Sequence, residues 1–156
     1  MNKISPFLWF DTEAEEAATF YTGLFPNSRI LDVQRHEAQD ATKSAFVVTF
    51  ELDGVKFTAL NGGPMHATFT EAVSFQVDCA DQAEVDRYWD TLTADGGEPG
   101  QCGWLKDRWG LSWQIVPTAL PTLLADPDPE AAARVMKAML AMQKIDIATL
   151  EAARAG

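Results

Sequence analysis

The residues best suited to chemistry gather in one stretch, "GQCGWLKDRWGLSWQIVP" (100–117), and in a shorter one, "VSFQVD" (73–78). The first holds a thiol (Cys102), two cations (Lys106, Arg108), a carboxylate (Asp107) and the neutral mid-strand pair Ser112 and Gln114. The second sets Ser74 and Gln76 at alternate positions, with Asp78 near the strand end. A thiol nucleophile needs a base, and no histidine stands near Cys102 in sequence, so the role of a small hydrophobe competes with catalysis. Asp107 opens "DRWG", where Asp at the first position and Gly at the fourth mark a type I turn; it is a turn-former before it is a general base. Serine and glutamine do not titrate near neutrality. They donate and accept hydrogen bonds, which suits them to orienting a small ligand, although a solvated sheet face would carry the same residues. Trp104 and Trp109 offer aromatic platforms for a ligand or cover for a sheet edge. "NGGP" (61–64) has the look of a phosphate loop, yet no helix starts directly after it, so it reads as a turn.

These groups must be held by an element order that occurs twice. "ISPFLWF" reads as a strand with Pro6 at an edge or bulge position. Thr12 and Glu15 form a capping box before a helix bearing Ala17, Phe20, Tyr21 and Leu24, which Pro26-Asn27 ends. "SRILDVQRHE", "AFVVTFEL" and "VKFTALNG" read as three strands, the last two joined by Asp53-Gly54, a strong two-residue hairpin signal. The order then restarts. "VSFQVD" alternates strictly, Asp81 and Glu84 open a helix with Val85, Tyr88, Trp89 and Leu92, and Gly96-Gly97 closes it. "CGWLKD" and "LSWQIVP" follow as strands around "DRWG". Beyond Pro117 the pattern is helical. Asp128 caps ahead of Pro129, the positions Ala132, Val135, Met136, Met139, Leu140 and Gln143 mark one face, and Asp146 starts a last short helix. The expected fold is α+β: two paired strand–helix–three-strand modules (about 1–63 and 70–117) and a helical tail (about 119–156) in one domain.

Totals exclude whole classes of function. At 156 residues and 47% hydrophobic, the chain is long and apolar enough for a buried core. Its formal net charge of −11 repels phosphate backbones, so neither nucleic acid nor an anionic membrane is an expected partner. Two cysteines, Cys79 and Cys102, make no disulfide framework and no zinc spacing. With no signal-like or membrane-spanning stretch, a cytoplasmic location is expected.

The doubled unit resembles the vicinal oxygen chelate superfamily, the glyoxalase and dihydroxybiphenyl dioxygenase fold. Within it the residues are similar to the PhnB-like branch, often labelled 3-demethylubiquinone-9 3-methyltransferase-like. The strings that carry this are "PFLWFDTEAEEAATFYTGLFPNS", "FELDGVKFTALNGGP", "GQCGWLKDRWGLSWQIVP" and "DPDPEAAARVMKAMLAMQKIDIATLEAA". The resemblance implies sheets that curl into an open cup, where metal-dependent relatives hold a divalent ion with up to four side chains. Transferred position by position, those places fall here on Pro6, Phe57, Ala72 and Gln114. Gln114 stands where a carboxylate would be. An amide oxygen brings no charge, and proline, alanine and phenylalanine bring no ligand atom, so no metal and no other cofactor is expected. His36 and His66 lie outside those positions and are expected to be solvated.

Strand parity then sets the expected cup lining: Leu8, Phe10 and Phe57 for apolar contact, and Asn61, Ser74, Gln76, Ser112 and Gln114 for hydrogen bonds. Cys102 and Trp104 join the candidate ligand-binding set, Val116 shares the face, and Trp9 and Trp113 are assigned to the core. Only Asp78 is charged, which points to a mostly apolar, neutral small molecule as the partner, bound by a homodimer and sequestered as resistance proteins of this fold do. The alternatives are an enzyme acting on a small organic substrate and, by the family label, a methyltransferase. Against the last, "LWFDTEAEEAA" lacks the glycine-rich loop of a doubly wound methyl-donor domain, and "DGGEPGQCG" stands before a strand instead of a helix.

Overall fold

The structure is a computed structural model, and it describes residues 2–35, 45–64 and 68–156. The chain divides into two compact units, 1–67 and 68–156. His36 and His66 lie outside the described residues.

Unit one runs β1 (Phe7–Phe10), α1 (Ala14–Leu24), β2 (Arg29–Gln34), β3 (Val47–Leu52) and β4 (Val55–Asn61). Its sheet has the order β1-β4-β3-β2, with β1 parallel to β4 and the other pairs antiparallel. The β3–β4 turn is closed by Asp53 and Gly54 at φ 47° and 79°, the left-handed pair that an Asp-Gly hairpin accommodates. Helix α1 lays Ala14, Ala17, Ala18, Tyr21 and Leu24 on the sheet. These small alanines leave room for Leu8, Phe10, Phe50 and Phe57, all nearly fully buried. Tyr21 stacks on Phe50 (6.4 Å between centroids) and Phe50 on Phe57 (5.4 Å). Burying one such side chain stabilises the fold by about 1.5–3 kcal/mol.

Several expectations fail in this unit. Leu8, Phe10 and Phe57 were expected to line a cup, but they pack beneath α1. Trp9, assigned to the core, lies on the opposite, open face, 36% exposed, beside Phe7 at 61%. In "FLWF" all four residues are apolar, so alternation carries no sign of which face is inward. The capping box at Thr12 is also absent. The Ala14 N–H is instead taken by Asn61 Oδ1 on β4 at 2.8 Å, a cap supplied by tertiary structure.

Unit two repeats the order: β5 (Phe75–Cys79), α2 (Gln82–Thr93), β6 (Glu98–Pro99), β7 (Trp104–Lys106) and β8 (Ser112–Pro117). The sheet order is β5-β8-β7-β6, with β5 parallel to β8. Asp81 caps α2 as expected, accepting from Glu84 N–H at 2.9 Å. The helix buries Val85, Tyr88, Trp89 and Leu92. Trp113 is core, as expected.

The tail forms α3 (Ala119–Leu124), α4 (Pro129–Leu140) and α5 (Ile147–Ala155), the last two capped by Asp128 and Asp146. Val116, Leu120, Val135, Ile145 and Leu150 make its core, with Ala138, Met139 and Met142 against them. The tail thereby covers Val116, which was expected to face the cup. The helix face differs as well: Val135 and Met139 pack inward while Met136 and Leu140 stay exposed. No described helix is long and apolar enough to cross a membrane.

Candidate functional site

The face of the second sheet opposite α2 carries two rows of side chains in register. One runs Glu98, Lys106, Ser112 across β6, β7 and β8; the other runs Trp104, Gln114, Gln76 across β7, β8 and β5. Over the first row lies a cleft of about 590 Å³, bordered by Glu71, Glu98, Cys102, Trp104, Lys106 and Ser112. The hairpin from β6 to β7 forms its wall, and the tail pins that wall. Cys102 N–H donates to Met142 O and Gly103 N–H to Gln143 O, both at 2.8 Å. Gly103 has φ 86°, and a Cβ there would meet Ile115 O at 2.9 Å, so this crossing needs glycine.

Ser112 is 1% exposed, and its Oγ has no hydrogen-bond partner among the described residues. A buried hydroxyl left unpaired costs about 1–3 kcal/mol, so its place at the cleft floor suits an acceptor or donor arriving from outside. Trp104 is 36% exposed beside it. Lys106 Nζ meets Glu71 Oε1 at 2.7 Å, and that bond raises the pKa of the ammonium above its ordinary value, keeping it charged.

The other candidates are already engaged. Gln114 Nε2 donates to Ser74 Oγ (3.0 Å) and Gln76 Nε2 to Asp78 Oδ1 (2.8 Å), on the same face but outside the cleft. Asn61 belongs to unit one, its oxygen on Ala14 N–H and its amide donating to Ala45 O at 2.9 Å; it is a structural tie, not a cup group. Asp107 is 2% exposed and organises the turn. Its Oδ1 accepts from Trp109 and Leu111 N–H, and its Oδ2 accepts from Trp113 Nε1 at 2.9 Å. Arg108 leans over Trp109 at 5.2 Å and pairs with Asp95 at 3.2 Å, so neither residue borders the cleft. Cys79 is buried, and desolvation, helped by the carboxylates of Glu84, Asp78 and Asp81, pushes its thiol up to about 12.

Of the expected set, Cys102, Trp104 and Ser112 come together and Ser74, Gln76 and Gln114 lie beside them, all in unit two, whereas Asn61 belongs to unit one. The charged members Glu71, Glu98 and Lys106 were missed, which removes the argument that the lining is uncharged. Lys106 was within reach, since it shares a face with Trp104 two residues earlier. Glu71 lies in the connector, where no periodicity speaks.

The metal places of the superfamily do not fit an ion here. Pro6 and Ala72 have no side-chain donor atom, Phe57 is stacked in the core, and Gln114, whose Nε2 donates to Ser74, offers only a neutral amide oxygen. Among the described residues no three His, Cys, Asp or Glu side chains gather as a metal site.

Two mixed sheets, each from a strand–helix–three-strand unit, with helices following them, define the glyoxalase-like fold of the vicinal oxygen chelate superfamily. Within it the chain belongs to the family described as 3-demethylubiquinone-9 3-methyltransferase, whose sequence pattern matches residues 2–116. It is similar to the PhnB protein of Bacillus cereus, with 33% identity over 75% of this chain and 100% of that one, and a TM-score of 0.68. Protein PA1353 of Pseudomonas aeruginosa shares the fold at 17% identity, over 75% of this chain and 98% of that one, with TM-score 0.61. So does the fosfomycin resistance protein FosX of Listeria monocytogenes, at 16% identity over 80% and 98% and TM-score 0.56. No curated protein matches the chain.

Proposed function

We propose that this protein binds a small, mostly apolar organic molecule without a metal, on the open face of its second sheet, and does so in the cytoplasm as a homodimer. The observation that carries this is the unpartnered Ser112 hydroxyl at the floor of a cleft walled by the Trp104 indole. An aromatic face and one buried polar group are the economical means of holding a flat ligand and fixing its orientation. FosX is named for resistance, and sequestration or modification of a small molecule is consistent with the shared fold. Each hydrogen bond from Ser112 adds about 0.5–1.5 kcal/mol, so Ser112→Ala should weaken a confirmed ligand several-fold. The test is a thermal-shift screen of small aromatics followed by titration of the hits into wild type, Ser112→Ala and Trp104→Ala. Hits whose affinity neither substitution changes would place the ligand elsewhere.

A further inference from the structure

The charges around the cleft do not cancel. Two carboxylates, Glu71 and Glu98, border it against one ammonium, Lys106. Lys106 is bonded to Glu71 at 2.7 Å and is also attracted by Glu98, its cross-strand partner, so two carboxylates share one ammonium and a negative charge is left over. Trp104 stands two residues from Lys106 on the same face, about 7 Å along the strand, and presents a partly exposed indole. An aromatic face beside an excess of negative charge attracts a cation through both the ring quadrupole and the charge. The Ser112 oxygen, buried and unpartnered at the floor, has lone pairs for an N–H donor. The chain as a whole carries −11, which concentrates cations near its surface and repels anions.

Resting on the ligand site proposed above, we infer that the molecule bound in this cleft is a monocation: a primary or secondary amine attached to a flat apolar group. Its ring lies on Trp104 and its ammonium faces Glu98. An anion has no comparable place. To reach Lys106 it must expel Glu71, and it then sits beside two carboxylates. A neutral molecule gains the ring contact and leaves the excess negative charge uncompensated.

Three isosteric probes separate these cases: 2-phenylethylammonium, 2-phenylethanol and phenylacetate, each titrated at neutral pH and low salt with ligand-observed NMR. The expected result is that the ammonium binds tighter than the alcohol by a factor on the order of five, while phenylacetate binds weakest. Glu98→Gln is an exposed, isosteric change, and it should abolish the preference for the ammonium while leaving the alcohol's affinity as it was. Added sodium chloride at half molar should do the same. If the alcohol or phenylacetate binds as well as the ammonium and Trp104→Ala weakens it, the inference of a cation is overturned while the ligand site stands. If the ammonium preference survives Glu98→Gln, the inference also fails. If none of the three binds to folded protein, both the inference and the proposed site are overturned.

Discussion

Ser112 illustrates how one side chain can oppose stability and serve binding. Its hydroxyl is desolvated without a partner among the described residues, so replacing it with hydrogen removes a cost and little packing. Ser112→Ala should therefore stabilise the ligand-free protein by about 1 kcal/mol, read as a raised midpoint in urea, while ligand binding falls. A loss of stability instead would mean that the hydroxyl is paired. Asp107 is the opposite case, with three donors on one buried carboxylate. Asp107→Asn turns an amide N–H toward one of those donors and should cost about 2–3 kcal/mol in the same measurement. The two thiols divide in the same way. Cys79 is buried with its pKa raised to about 12, whereas Cys102 borders the cleft. In native protein at pH 8, iodoacetamide should label Cys102 alone by peptide mass spectrometry. Because the folded-state pKa of Cys79 is raised, the thiol's contribution to stability is complete below about pH 9. It falls as pH climbs toward about 12, where only the unfolded chain has readily released its proton.

At the scale of elements, neighbours decide what local pattern leaves open. Trp9 lies across Gly62, its Nε1 donating to Gly63 O at 3.0 Å, and a Cβ on Gly62 would overlap the indole. Gly62→Ala should displace Trp9 at a cost of about 1–3 kcal/mol, visible as a shift in tryptophan emission together with a lower unfolding midpoint. Little change in either would show that the open face repacks freely. The contrast between "FLWF" and "LSWQIV" explains what was legible. In β8 polar Ser112 and Gln114 alternate with buried Trp113 and Ile115, so the sequence declares both faces and the site row is readable. In β1 every residue is apolar, and the inward face is set by the alanines of α1, a choice that lies outside the strand. Caps behaved likewise. Asp81, Asp128 and Asp146 act within their own helices and were readable, while the start of α1 is capped from β4. The doubled element order was clear from turns and periodicity; the partnership of Lys106 with Glu71 was not, because it joins a strand to an irregular connector.

For the molecule as a whole, the family description raises methyl transfer, and the fold argues against its usual form. A doubly wound methyl-donor domain places a glycine-rich loop between its first strand and helix. Here β1 passes to α1 through Asp11, Thr12 and Glu13, and among the described residues each sheet has one parallel strand pair. Calorimetric titration with S-adenosylmethionine should show no binding, and micromolar affinity would restore the methyltransferase reading. Assembly is the other property at this scale. Helix α4 turns Val135 and Met139 into the tail core but leaves Met136 and Leu140, one helical turn apart, 42% and 60% exposed. Among the described residues β1 and β2 are outermost in one sheet and β5 and β6 in the other, and outermost strands invite cover. A two-fold pair of identical chains can bury such a stripe or such an edge with one repeated contact, which a net charge of −11 opposes only weakly once salt screens it. Light scattering at micromolar concentration should therefore give twice the monomer mass. Leu140→Lys, exposed and remote from the tail core, should shift that equilibrium toward monomer without lowering the unfolding midpoint of the isolated chain. A wild-type monomer would refute the dimer, and a dimer indifferent to Leu140→Lys would move the contact from α4 to the strand edges.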